Sequence, residues 1–174
     1  MTFQEALKDQ VLILDGAMGT MVQNLTVTDA TFGGSLFRML TDLLTFSRPD
    51  DLKGIHRAYL DAGANIIETN SFGASPLRLR EFNWAEIDVS EMGAIPQGLD
   101  LSKGNLADIA HYLNVSACQV ARRAIDEYKQ DPTYDGRPLF AAGSMGPSNC
   151  VLSSTEANLT RSTWDEVVEN NRVQ

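Results

Sequence analysis

Two patterns of apolar and polar residues alternate along the chain. Short continuous apolar runs end abruptly in acidic, hydroxyl or amide groups, and longer stretches between them carry apolar residues three and four apart. Val11-Leu12-Ile13-Leu14 runs straight into Asp15-Gly16-Ala17-Met18-Gly19-Thr20, and Ala64-Asn65-Ile66-Ile67 into Glu68-Thr69-Asn70-Ser71-Phe72. Such a run predicts a strand buried on both faces that ends at a working surface. A third strand, Pro138 to Ala142, enters Gly143-Ser144-Met145-Gly146-Pro147-Ser148-Asn149.

Between these runs the period becomes helical. Residues 3–9 form a short leading helix. Ser47 is placed to cap a second, with Pro49 in its first turn and Asp50 and Asp51 complementing the positive end of the helix dipole. Leu52, Ile55, Tyr59 and Leu60 give that helix one apolar face, and Gly63 stands where a left-handed residue ends it. Ser75 to Phe82 is also helical. Leu106, Ile109, Ala110, Leu113, Ala117, Val120, Ala121, Ala124 and Tyr128 then fall on one stripe, divisible into two helices at Asn114-Val115-Ser116. Residues 131–136 have turn chemistry, and a last helix starts at Ser162-Thr163. Residues 21–47 are mostly irregular around Gly33-Gly34, with room for a helical turn between Leu36 and Leu44. Residues 83–104, with Pro96, Gly93, Gly98, Gly104 and scattered acids, predict a loop inserted over the surface.

Strands alternating with helices imply βαβ units with parallel neighbours and helices outside. In such sheets the ligand site lies beyond the carboxyl ends of the strands. Asp15, Glu68, Thr69, Asn70 and the Gly146-Pro147 turn all fall there. Three polar strand ends meeting on one edge predict an enzyme.

Composition narrows the classes. The 174 residues, 43% hydrophobic, suffice for one core and one domain. A net charge of −9 opposes the phosphate neutralisation that nucleic-acid binding requires. No apolar stretch approaches the roughly 20 residues that span a bilayer, and the first residues lack the basic region and apolar run of a secretory signal. The expected location is cytoplasmic, with neither nucleic acid nor membrane as partner. Cys118 and Cys150 are too few for a disulfide framework and fit no compact zinc motif.

The same blocks resemble a known family. Leu14-Asp15-Gly16-Ala17-Met18-Gly19-Thr20-Met21, then Arg48-Pro49-Asp50, and then the unbroken stretch from Ile55-His56-Arg57-Ala58-Tyr59 to Glu68-Thr69-Asn70-Ser71-Phe72 are similar to the homocysteine-binding domain of cobalamin-dependent methionine synthase. Gly143 to Asn149, followed by Thr163-Trp164-Asp165-Glu166-Val167-Val168, resembles its third strand and following helix. The resemblance implies a TIM-type (βα)8 barrel that binds homocysteine at its strand ends and holds one zinc through three cysteine thiolates. Homocysteine, bound there as thiolate, takes a methyl group carried by cobalamin or another donor. It also implies the substrate-binding set Asp15, Gly16, Ala17, Met18, Glu68, Thr69 and Asn70.

A barrel of this type takes about 250 residues, and the family's zinc cysteines lie in later strands. The expectation is therefore one partial domain over residues 1–174, the amino-terminal half with about three βα units, without metal ligands of its own and inactive alone. Its partners would be homocysteine and the missing barrel half, or a corrinoid- or folate-binding module, with self-association also open. The alternative is a non-catalytic homocysteine-binding or interaction remnant. Two departures bear on the rim of the site: Leu40-Thr41 stands where the family commonly has an asparagine pair, and residues 83–104 are a longer insertion than usual.

Each candidate has a plainer reading beside this one. Asp15 can be a turn-forming aspartate. Thr69 and Asn70 can satisfy strand-end backbone groups, and Glu68 can sit in an ion pair behind the site. Gly16 and Gly19 lack the spacing of a phosphate loop. His56, His111 and Cys118 read as a surface or packed histidine and structural thiols, and Cys150 as a loop thiol near the mouth of the site.

Overall fold

The computed structural model describes residues 1–103, 105–147, 150–151 and 160–174. The chain opens with α1 (Phe3–Asp9), capped by a reciprocal pair in which the Thr2 side chain takes the Glu5 N–H and the Glu5 carboxylate takes the Thr2 N–H. There follow α2 (Met18–Val22), α3 (Leu44–Ser47), α4 (Pro49–Asp61), β1 (Ile66–Glu68), α5 (Pro76–Leu79), α6 (Leu106–Tyr128) and β2 (Phe140–Ala142). The last elements are β3 (Cys150–Val151), β4 (Thr160–Arg161) and α7 (Trp164–Val173).

β1 and β2 pair in parallel, Ile66 opposite Phe140 and Glu68 opposite Ala142. Residues 13–15 lie along the other edge of β1, where Leu14 bridges Ile66 in parallel and the Asp15 N–H donates to the Ile66 carbonyl at 2.9 Å. Asn65 sets the register of all three segments. Its side-chain oxygen accepts the Ile13 N–H at 3.0 Å, and its amide donates to the Pro138 carbonyl at 3.1 Å. The backbone of Asn65 repeats the connection, donating to the Ile13 carbonyl and accepting from Phe140, each at 2.8 Å. The result is an α/β arrangement around a small parallel sheet, with α4 and α6 packed together on one side.

Three apolar clusters hold it. Leu60, Ala64, Ile67, Ala121, Ala124, Ile125, Tyr128 and Leu139 seal the sheet against α4 and α6. Val22, Phe32, Leu44, Leu52, Ile55 and Val120 pack the first connection behind them. The third cluster joins Phe37, Leu40, Leu43 and Phe46 to Trp84, Met92 and Leu101 and to the first turns of α6.

That third cluster anchors the loop of residues 83–103 to the core. The segment holds short 3₁₀ turns at Trp84–Glu86 and Leu101–Lys103; Trp84, Met92 and Leu101 are buried, while Val89 is exposed. The Trp84 indole donates to the Leu79 carbonyl at 2.9 Å, and Glu91 pairs with Arg48 at 2.6 Å while accepting from Thr31. A largely exposed, aperiodic loop is thus pinned to the core by three side chains. Other expectations shift. α6 is continuous, because Asn114 faces inward and ties the Ala74 carbonyl to its own helix, both at 2.8 Å, instead of breaking it. Ser47 ends α3 and donates to the Thr31 carbonyl at 2.6 Å, so Arg48 precedes Pro49 as the first boundary residue of α4. Gly63, at φ 103°, terminates that helix as expected.

Residues 11–14 are not buried on both faces: Val11 is 88% and Leu14 50% exposed. Only β1 lies beside them among the described residues, so an apolar run made for a covered strand is left at an edge. The parallel pairing of β3 with β4 was not expected from the sequence. The expectations for Ser148, Asn149 and the Cys150 thiol lie outside the described residues and side chains. No helix among the described residues is long and apolar enough to cross a membrane.

His56 is fully buried on α4, and neither ring nitrogen has a hydrogen-bond partner. Burial lowers its pKa to about 4, from 6.5. Below 6.5 the unfolded chain takes up a proton that the folded one refuses, so stability falls as pH drops from about 6.5 to about 4. The gap is worth about 3 kcal/mol at most. Replacing His56→Leu should flatten that part of the acid limb in urea-unfolding curves; an unchanged pH dependence would show that the imidazole charges freely in the fold. Removal of the register clip, Asn65→Ala, should cost about 1–3 kcal/mol, because it leaves a part-buried N–H and a part-buried carbonyl without their side-chain partner. Urea unfolding measures this, and a loss below about 0.5 kcal/mol would mean that water takes over both bonds.

Candidate functional site at the carboxyl edge of the sheet

Level strand ends follow from the register. Because Asn65 aligns the amino ends of the three segments, Asp15, Glu68 and Ala142 arrive together at the opposite edge. One Asp15 carboxylate oxygen, Oδ2, accepts the Glu68 N–H at 3.0 Å. The other, Oδ1, is buried without a hydrogen-bond partner. Burial raises the Asp15 pKa to about 6, and the nearby Glu68 charge adds to the rise against the pull of the Glu68 N–H. Glu68 itself accepts from the Ser144 hydroxyl at 3.1 Å, so its partner is a neutral donor and not the cation of an ion pair.

The turn after β1 is tied from both sides. Toward β2, the Thr69 N–H donates to the Ala142 carbonyl at 2.9 Å, and the Thr69 hydroxyl accepts the Ser144 N–H at 3.1 Å. Thr69 and Ser71 share a hydroxyl–hydroxyl bond of 2.7 Å, and Ser71 donates to the Ser144 carbonyl at 3.0 Å. Gly146 donates to the Phe72 carbonyl at 3.0 Å, and a Cβ on Gly146 would lie 2.4 Å from that oxygen, so only glycine permits the approach. Toward the first connection, Asn70 donates to the Thr41 carbonyl at 2.9 Å, and Gly73 to the Asp42 carboxylate at 2.8 Å.

Gly16 and Ala17 are exposed beside Asp15, and Tyr59 from α4 reaches over them. The Tyr59 hydroxyl donates to the Ala17 carbonyl at 3.3 Å, and a Cβ on Gly16 would meet that hydroxyl at 3.2 Å. Met18 begins α2 and packs against the cluster around Val22 and Phe32. Of the sequence candidates, then, Asp15, Glu68 and Thr69 meet in one hydrogen-bonded edge, Gly16 and Ala17 flank it, and Met18 and Asn70 face toward packing partners. In this structure Thr69 and Asn70 satisfy backbone groups of neighbouring turns.

Asp42, Ser71, Ser144 and Tyr59 complete the edge and were not singled out from the sequence. One signal was available for Asp42: a charged residue between Leu40 and Leu43-Leu44, where an apolar stretch predicts burial.

No three His, Cys, Asp or Glu residues converge to hold a metal ion among the described residues. His111 and Cys118 line one groove along the exposed side of α6, and partial burial pushes the Cys118 thiol pKa up, away from thiolate.

This is a parallel α/β sheet with two neighbouring carboxylates at its carboxyl edge, the edge at which such sheets generally place ligands. The homocysteine S-methyltransferase family is matched over residues 12–174, and the chain belongs to it. Two solved structures of the homocysteine methyltransferase MmuM from Escherichia coli share the fold. The metallated form is 23% identical with a TM-score of 0.56, covering 83% of this chain and 41% of that one. The oxidized form is 25% identical with a TM-score of 0.53, covering 81% and 39%. The chain thus spans about two fifths of the length of these relatives.

Proposed function

We propose that this chain supplies the amino-terminal βα units of a (βα)8 barrel that binds homocysteine at the carboxyl edge described above and, once completed, transfers a methyl group to its sulfur to give methionine. The observation that carries this reading is the buried, unpartnered Oδ1 of Asp15. A buried carboxylate oxygen without a donor is costly until a donor arrives. The ammonium group of an amino acid supplies one, with a positive charge matched to the adjoining Asp15 and Glu68. Gly16 and Ala17 leave the backbone beside it open, Thr69 holds the wall on the β2 side and Asn70 the wall on the side of the first connection.

Zinc, implied by the resemblance for the whole domain, does not fit the described residues, since they form no three-ligand group. Its ligands, and the corrinoid or folate module that would deliver the methyl group, are assigned to the part of the barrel beyond these units. The exposed residues Val11, Ile13 and Leu14 favour such a partner, because they leave an apolar strand uncovered.

Two measurements test the reading. In the completed barrel, calorimetry should show Asp15→Asn weakening homocysteine binding by about 1–3 kcal/mol, the range for losing a charged hydrogen-bond partner. Wild-type affinity should rise with pH through about 6, as Asp15 ionises. Unchanged affinity in the variant would return Asp15 to the role of a turn residue. Kept by itself at micromolar concentration, the chain should self-associate through its open strand. Light scattering showing a stable monomer would sink that expectation.

A further inference from the structure

We propose that Asp42 is a positioning residue that holds the turn from Thr69 to Gly73, and with it Asn70, at the carboxyl edge of the sheet. The inference rests on the reading that this edge receives homocysteine, and extends it to a residue of the preceding connection. Asp42 is 3% exposed. One carboxylate oxygen accepts the Gly73 N–H at 2.8 Å, and the other stands 2.7 Å from where a Cβ on Gly73 would be. The carboxylate therefore occupies the space that this glycine leaves. The adjacent Thr41 carbonyl accepts from the Asn70 side chain at 2.9 Å. Two consecutive residues of the first connection thus grip two residues of the second, while Ser144 and Gly146 hold the same turn from the opposite side.

The grip is charge-dependent. Burial raises the Asp42 pKa to about 6, opposed by the Gly73 N–H, by its own backbone N–H and by Arg78, the charged group facing it from α5. Arg78 is itself paired with Glu81 and stacked over Phe82 at 5.1 Å. A carboxylate is a stronger acceptor than the neutral acid. Above about pH 6 the turn is held firmly, and below it the bond to Gly73 weakens.

Amide NMR of the chain, followed from pH 5 to 7.5, tests this directly. The Gly73 amide signal should titrate with a midpoint near 6, and Asp42→Asn should abolish that titration while shifting the Asn70 side-chain amide. The Gly73→Ala variant, whose methyl group displaces the carboxylate, should abolish it as well and keeps the test open if Asp42→Asn fails to fold. A Gly73 amide that does not titrate in the wild type, or that titrates unchanged in Asp42→Asn, overturns the proposal. In homocysteine titrations of the completed barrel, Asp42→Asn should raise the dissociation constant about tenfold at pH 7.5. An unchanged constant beside an altered Gly73 signal overturns the positioning role and leaves Asp42 a packing residue. Where the completed wild-type barrel binds no homocysteine, it is the functional reading that fails, and the Gly73 and Asn70 signals alone decide whether Asp42 holds the turn.

Discussion

Everything at the carboxyl edge depends on a side chain at the opposite edge. Asn65 is placed between two parallel neighbours whose backbone groups need partners at the point where each enters the sheet, and a carboxamide can accept from one and donate to the other. No apolar residue can do both. Because strand rise is constant at about 3.3 Å per residue, alignment at one end is alignment at the other, and Asp15, Glu68 and Ala142 emerge level. A slip of one residue would exchange the faces of Ile67 and Glu68, moving the carboxylate into the cluster that packs against α4 and α6.

The site is then made by the connections that follow the strands. Each connection holds the next: Thr41 and Asp42 tie down Asn70 and Gly73, and Thr69 and Ser71 tie down Ser144. Close backbone approach is part of the design. Gly73 and Gly146 stand where a side chain would collide, with the Asp42 carboxylate in one case and the Phe72 carbonyl in the other. The aperiodic residues 83–103 support the outer wall by burying Trp84, Met92 and Leu101 against the first connection and α6, which makes their packing part of the site's rigidity.

Charge at this edge is held at a cost. Asp15 and Asp42 both have pKa values raised to about 6 by burial, so each is poised to change state in the range where most carboxylates are already ionised. Folded-state values above the unfolded ones mean that ionising these groups disfavours the fold as pH rises from about 4 to about 6. His56 acts in the opposite direction over nearly the same interval, since its folded-state value lies below the unfolded one. Retaining two carboxylates against that cost fits an edge that receives a cation.

Local pattern was enough to determine the strand that ends at Glu68, the helix that begins at Pro49, the helix capped by Thr163, the left-handed end at Gly63 and the meeting of Asp15 and Glu68 on one edge. Each of these follows from residue periodicity, capping or the alternation of strand and helix, which are properties of neighbours in sequence. The motif around Asp15-Gly16-Ala17 and Glu68-Thr69-Asn70 also carried the family, matched over residues 12–174. Tertiary structure alone decided which groups meet across long separations. It buried Trp84, Met92 and Leu101 because Phe37, Leu40 and Phe46 lie opposite them, and it kept α6 whole because Asn114 finds the Ala74 carbonyl. It left residues 11–14 exposed because burial belongs to the neighbour and not to the strand. It also recruited Asp42 and Ser144, whose roles rest on hydrogen bonds to residues 31 and 76 positions away that no local pattern records.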